Sequence, residues 1–440
     1  MRKKILFLSS AILFFTPYKS ANAQSFLTQT EELSPILAIT DEQETYQNLA
    51  QKEKRHSNTL AKSVSTRQAQ SNSLLKKQKH ATHSWSKEYV KAKQDFTNAT
   101  GISYTIDASI LAQRGAPNGK ITPWQTQYYG SMNWDLFDSK TFGSGSIQAA
   151  YTLVRYWNKN ASILGNNIGI ATSLNDYTEK ANYFDQLSYT HQFAGKMNWL
   201  SVTLGQFPLY NFDGTTYNSN QQINFINEAL SQNQTSLYPS AGLGAYITAT
   251  PNNLISLSAG LQDATNVSGN RLSFSHFKEK KYTPFISATL SPTTVLGDLQ
   301  LSLLLYHQPS VPEQIGDSKG WSFNLQQNIG KKFALFGRIN GVSKGINGFN
   351  QSYVLGGVYN NPLNRNDLDQ IGLALAVNKI NKSYFEENKR SVENIVEAYW
   401  AWGISSFVTI TPDIQFYINP ALNQKSNTAT VASLRATFMF

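Results

Sequence analysis

Seven polar or ionisable side chains stand where they could hold a solute: Arg338, Glu397, Tyr399, Asp413, Gln415, Tyr417 and Arg435. Each sits in a period-two pattern, with bulky apolar residues at the alternate positions. EAYWAWG sets Glu397 and Tyr399 against Trp400 and Trp402, and DIQFYIN sets Asp413, Gln415 and Tyr417 against Ile414, Phe416 and Ile418. Amides, hydroxyls and opposed charges of this kind offer reversible hydrogen bonds and charge contacts. Nothing in the sequence points to covalent or metal chemistry. His56, His80, His83, His191, His276 and His307 show no spacing for a Ser-His relay or a metal site. The absence of cysteine removes a disulfide framework and a thiolate zinc site. For each of the seven, a structural pair inside a polar wall is the alternative to a solute contact.

The elements that must position these residues are strands. WSFNLQQNI alternates Trp321, Phe323 and Leu325 with Ser322, Asn324 and Gln326. FALFGRIN sets Arg338 and Asn340 opposite Leu335 and Ile339, QIGLALAVN alternates likewise, and SLRATFMF sets Arg435 and Thr437 opposite Leu434, Phe438 and Phe440. Such segments of about ten residues, separated by turn residues, suit a wall with lipid outside and water inside. About sixteen of them follow one another from Gly101 onward. Connections after odd strands are long and those after even strands tight, with 360–369 the one long exception. That alternation fits a barrel with both chain ends on one side, and gives a soluble sandwich or propeller no reason to arise.

The expected fold is therefore an all-β transmembrane antiparallel β-barrel of about sixteen strands over residues 98–440. A barrel of that size encloses water. Opposed charges across the lumen would disfavour ions of either sign and leave neutral solutes unpenalised. Connection 208–241 is the longest; it either folds inward and narrows the channel, with a short helix at INFINEAL, or is an ordinary surface loop. Aromatics near strand ends, Trp321, Trp400, Trp402 and Phe438 among them, suit the interfacial girdles.

Ahead of the strands, Arg2, Lys3 and Lys4, an apolar run from Ile5 to Phe15 and small residues at Ala21 and Ala23 make residues 1–23 a secretory signal. No other run approaches the ~18 apolar residues of a membrane helix. Residues 24–97 form a basic periplasmic extension that ends in a short helix, where Trp85, Tyr89 and Phe96 share a face and Asn98 and Gly101 are the stop. The formal charge of +10 arises partly in this extension and is not a nucleic-acid signal. No cofactor is implied. The expected partners are outer-membrane lipid and, through the terminal aromatic Phe440, the barrel-assembly machinery.

Three stretches resemble the carbohydrate-selective outer-membrane porins of the OprB type. Near the C-terminus the family pattern falls on Glu397, Tyr399, Pro412, Asp413, Gln415, Asn419 and Pro420; upstream it falls on Arg338, Tyr359, Pro362, Arg365, Asp367 and Gly372, and earlier on Leu204, Gly205 and Gln206. Trp85-Ser86-Lys87 stands where members carry Trp-Gly-Gly-x-Arg, and Asn361 replaces a glycine. The resemblance implies facilitated diffusion of neutral sugars across the outer membrane of a Gram-negative bacterium. A general-diffusion porin and a polysaccharide-export barrel are the alternatives.

Overall fold

Strict alternation of burial marks the strands. Along β15 (Val408–Ile418), Thr409, Thr411, Asp413, Gln415 and Tyr417 are buried, while Ile410, Pro412, Ile414, Phe416 and Ile418 are exposed. Burial of the polar set and exposure of the apolar set reverses the order of a soluble protein. The exposed apolar face is therefore the lipid face, and only a closed sheet leaves no backbone polar group unbonded in lipid.

The computed structural model describes residues 84–272, 275–344, 347–385 and 390–440. The expected signal peptide and the basic extension up to residue 83 lie outside these residues. After helix α1 (Ser84–Thr100) come β1 (Ile102–Ala116), β2 (Trp124–Ser139), β3 (Gly143–Tyr156), helix α2 (Ala161–Ile168), β4 (Ala181–Gln192) and β5 (Leu200–Phe207). Helix α3 (Glu228–Ser231) precedes β6 (Gly242–Ala249), β7 (Ile255–Asp263), β8 (Tyr282–Leu290), β9 (Leu299–Gln308) and β10 (Ser318–Ile329). The rest are β11 (Phe333–Ser343), β12 (Phe349–Asn360), β13 (Gln370–Ile380), β14 (Val392–Gly403), β15 and β16 (Thr428–Met439). Each strand pairs antiparallel with its sequence neighbours, and β1 closes on β16, giving a sixteen-stranded barrel. Pro412 lacks an N–H, and pairing of β15 with β14 is interrupted between Asp413 and Ile410 while pairing with β16 runs through.

The longest connections, 208–241, 157–180 and 264–281, all follow odd strands, but the expected alternation fails after β11, where 344–348 is as short as the turns after even strands, and again after β12, where the connection 361–369 is long. That segment is held fast against the neighbouring turn. Arg365 donates to Gly403 O at 2.9 Å and to Asp369 Oδ1 at 2.6 Å, and its guanidinium lies 4.0 Å from the Trp402 ring. Asn361 has φ +45°, a left-handed backbone that asparagine tolerates better than most residues, which explains how it replaces the glycine of the family pattern.

Helix α1 runs through Asn98 to Thr100, so Gly101 alone is the stop. Its φ is +73°, and a Cβ there would lie 2.7 Å from Asp135 O. Tyr89 meets Phe407 and the C-terminal Phe440 at 5.4 and 6.2 Å between ring centroids. Lys93 is buried 4.8 Å above the Tyr104 ring. Burial lowers its pKa to about 8, opposed by the charge of Asp107. The helix thus packs at the end where β1 and β16 close the barrel.

The apolar core lies inside the barrel. Leu164, Ile168, Leu174, Phe225 and Leu230, all from connections, pack with Phe336, Val354, Tyr399, Tyr417 and Val431 of the wall. A second cluster joins Phe207 and Leu209 to Tyr246, Phe285, Leu304 and Tyr306.

Candidate functional site

Two long connections, 157–180 and 208–241, fold into the barrel and bond to its inward-facing residues. The longer one leaves β5, turns at Leu209–Phe212, crosses to the opposite wall and returns to β6. Most of its side chains are amides, hydroxyls and aromatics, so it can satisfy a polar wall without burying many charges. Asn227 caps the one-turn helix α3 by accepting from Ala229 N. The expected helix at INFINEAL is thus present at its last residues only.

Arg338 on β11 anchors the two limbs of this connection. It donates to Gln232 O from Nη1, to Asn218 O at 2.5 Å from Nη2, and to Asn324 Oδ1 at 2.9 Å from Nε. Arg435 on β16 donates from Nη1 to Gln221 O and, at 2.7 Å, to Asn224 O. Glu397 on β14 accepts the backbone N–H of Ile226 at 2.5 Å and of Asn227 at 2.9 Å. Tyr417 accepts from Asn227 Nδ2 at 2.7 Å and donates to Gln415 at 2.6 Å; Gln415 reaches Leu174 O of the shorter connection at 3.1 Å. Tyr399 donates to Gln370 at 2.5 Å and sets its ring edge-on to Phe225 at 4.8 Å. A side chain at Gly372 would strike both rings, which is the physical reason for a glycine there. Asp413 faces inward on the same wall and makes no hydrogen bond to either connection among the described residues.

All seven residues singled out from the sequence therefore sit on the inward face of β11 and β14–β16, and all are buried. Six of them touch an inward-folded connection. Others escaped sequence reasoning. Glu393 accepts from the N–H groups of Ala171, Thr172 and Ala421 at 2.9, 2.8 and 2.7 Å, pinning connections 157–180 and 419–427 together. Asp213, inside the longer connection, accepts from Ser322 at 2.6 Å, Asn233 at 2.7 Å, and Asn324 and Tyr238 at 3.1 Å. The signal for Glu393 was its place four residues before Glu397, on the same face of one strand. Asp213 had no such signal, because no period runs through a connection.

The two connections also meet each other. Asp176 accepts from Gln221 N at 3.4 Å, from Gln232 Nε2 at 3.2 Å and from Ser231 Oγ. Glu228 lies beside this junction. Burial raises its carboxyl to about 7, hydrogen bonds with Ser173 and Gln234 oppose the shift, and the charge of Asp176 adds to it. Connection 208–241 contains Asp213 and Glu228 and no Lys or Arg.

The wall of β4–β9 differs. In its half nearer the short turns it presents Thr190, Thr203, Thr248, Ser258, Ser287 and Ser302 inward. Thr190 bonds Thr203 and Thr248 bonds Ser258, each at 2.8 Å. No ionisable side chain interrupts this set.

Comparison with known proteins agrees with the geometry. Residues 281–440 match the carbohydrate-selective porin family, OprB. The chain is 37% identical over 399 residues to a porin, AaxA, of Chlamydia pneumoniae, covering 87% of this chain and 90% of that protein. It is 38% identical over 348 residues to the AaxA porin of Chlamydia abortus, covering 77% of each. Among solved structures, OprB of Pseudomonas putida at high pH superposes with a TM-score of 0.64 over 80% of this chain and 97% of that one; at 15% identity this likeness concerns the fold. A closed sixteen-stranded barrel with an apolar outer face, a polar wall and inward-folded connections is a channel, and the chain belongs to the OprB family of outer-membrane porins.

Proposed function

We propose that this porin passes small hydroxylated solutes, carbohydrates being the class that the family description names, through an opening narrowed by connection 208–241. The observation that carries this is the uncharged hydroxyl half of the β4–β9 wall, nearer the short turns, against which a sugar exchanges its water for Ser and Thr without meeting a fixed charge there. Weak, repeated hydrogen bonds of this kind favour entry and still allow release. In this proposal Arg338, Glu397, Tyr399, Gln415, Tyr417 and Arg435 act on the permeant indirectly, by holding the connection that shapes the opening. Asp413 faces the lumen without such a bond.

A preference for cations is a second reading, favoured by the acidic character of connection 208–241 and its junction with Asp176. Liposome swelling separates the readings, using neutral sugars, cationic and anionic solutes of equal size. Faster entry of the sugars supports the first, faster entry of the cations the second, and equal rates for all leave a general-diffusion porin. Blockade of single-channel conductance by the preferred solute gives an independent check.

A further inference from the structure

Basic residues gather on the lipid-facing rim of β1–β4, at the end where the long connections lie. Arg114 lies near the end of β1, Arg155 is next to last in β3, and Lys180 precedes β4; the pairing of Val154 with Ala181 brings Lys180 beside Arg155. Lys120 and Lys159 stand in the adjoining connections, and all five are exposed. Strands lie roughly 4.8 Å apart, so the cluster spans about 15 Å of rim. Trp124 and Trp157 stack at 6.3 Å with 14° between their planes in its midst, 42% and 65% exposed. Exposed Tyr128 continues the aromatic set below them, on the same outward register as Trp124.

Two ion pairs stand elsewhere on this rim, Arg271 with Glu313 and His307 with Asp317 at 2.8 Å. None of the five basic residues forms an ion pair among the described residues; Arg114 donates to the hydroxyl of Thr122 at 3.2 Å. The nearest acid, Glu179, is held by Asn160 and Ser162. Long connections of an outer-membrane barrel face outward from the cell. The cluster therefore stands level with the headgroups of the outer leaflet, with the tryptophans at the interface they favour.

We propose that this rim is a binding site for a phosphorylated glycolipid of the outer leaflet. Arg114, Arg155 and Lys180 take its phosphates, guanidinium groups matching phosphate geometry in two-point contacts. The Trp124–Trp157 pair offers flat faces to the sugar ring or the first methylenes. Charge complementarity selects the partner: five cations against one neighbouring acid, Glu179, favour a headgroup with several phosphates over a singly charged lipid.

The test uses the full chain in nanodiscs of phosphatidylcholine doped with diphosphoryl lipid A or, at equal total charge, with phosphatidylglycerol. Lipid retained on release into detergent is counted by native mass spectrometry. Lipid A is expected to be retained preferentially. Neutralising a basic residue at a lipid surface weakens retention roughly fivefold, so Arg155→Gln with Lys180→Gln should weaken it on the order of thirtyfold. Liposome swelling rates should stay unchanged, since neither residue faces the lumen. If that variant loses its heat-modifiable gel mobility and has not folded, Lys120→Gln with Lys159→Gln, both in connections, takes its place. Undiminished retention in a folded double variant, or equal retention of phosphatidylglycerol and lipid A, would overturn the proposal.

Discussion

The two sides of the barrel solve different problems. On β11 and β14–β16 the inward face carries Arg338, Glu393, Glu397, Asp413 and Arg435, and it is packed under the two inward-folded connections. On β4–β9 the half nearer the short turns carries Ser and Thr, which bond to each other across strands. A buried charge must be fully bonded to be tolerated, and backbone groups of a connection must find partners when they leave water. The charged wall and the connections answer both needs together. Carboxylates take the N–H groups and guanidinium groups take the carbonyls. A hydroxyl wall can satisfy itself and stay available to a solute. Most of the charges on β11 and β14–β16 therefore mark where the connections are anchored; on β4–β9 the aromatic half carries part of that task, through Tyr306 and Phe285, and the hydroxyl half does not.

This contrast can be broken most forcefully by removing the connection itself. Replacing residues 215–234 with a short Gly-Ser linker should raise single-channel conductance several-fold in planar bilayers; unchanged conductance would mean that the connection does not narrow the path. Phe225→Ala should follow. Truncating a buried ring costs about 3–5 kcal/mol, and Phe225 contacts both Tyr399 and Phe336. Protease cleavage within 208–241 should then quicken while the strands stay protected. Arg338→Met leaves the carbonyls of Asn218 and Gln232 unbonded, at about 1–3 kcal/mol for each buried group. Noisier conductance with unchanged barrel assembly is the expected signature, and Arg338→Lys should restore it only in part.

Smaller effects sharpen the comparison. With its pKa raised to about 7, Glu228 is mostly neutral at pH 6 and mostly ionised at pH 8. Reversal potentials should show cation preference rising across that window, by a factor on the order of two in salt where the Debye length is ~8 Å. Glu228→Gln should abolish the rise. The linkage runs the other way for stability: a carboxyl raised above its unfolded value is more secure in acid, and its contribution fades as pH climbs from about 4.5 through about 7. On the hydroxyl wall, Thr248→Val with Ser258→Ala removes a bonded pair together, so stability should move by less than about 1 kcal/mol. Sugar swelling rates should fall measurably in that variant, while rates for a solute without hydroxyls hold.

Much of the wall was legible from side-chain alternation. Trp400, Trp402, Ile414, Phe416 and Ile418 point to lipid and Glu397, Tyr399, Asp413, Gln415 and Tyr417 point inward, as a period of two requires. Connection 208–241 stood out by length. What alternation could not reveal is why some inward positions are apolar. Phe336, Val354 and Val431 read as breaks in a polar face, and they are the floor on which Phe225, Leu174 and Leu230 pack. Alternation places Glu393 on the inward face but could not reveal its partners, Ala171 and Thr172, which lie more than two hundred residues away in sequence.

By itself the sequence determined the local state of the chain: about sixteen strands and the face each residue presents. These follow from nearest-neighbour geometry, because a pleated backbone sends successive side chains to opposite sides. Only the tertiary structure decided what the inward face meets. Closure of β1 on β16 and the inward turn of two connections bring distant segments together, turning candidate solute contacts into anchors for the connection that narrows the lumen. That outcome depends on which unbonded groups find each other across an enclosed space, and no local pattern encodes it.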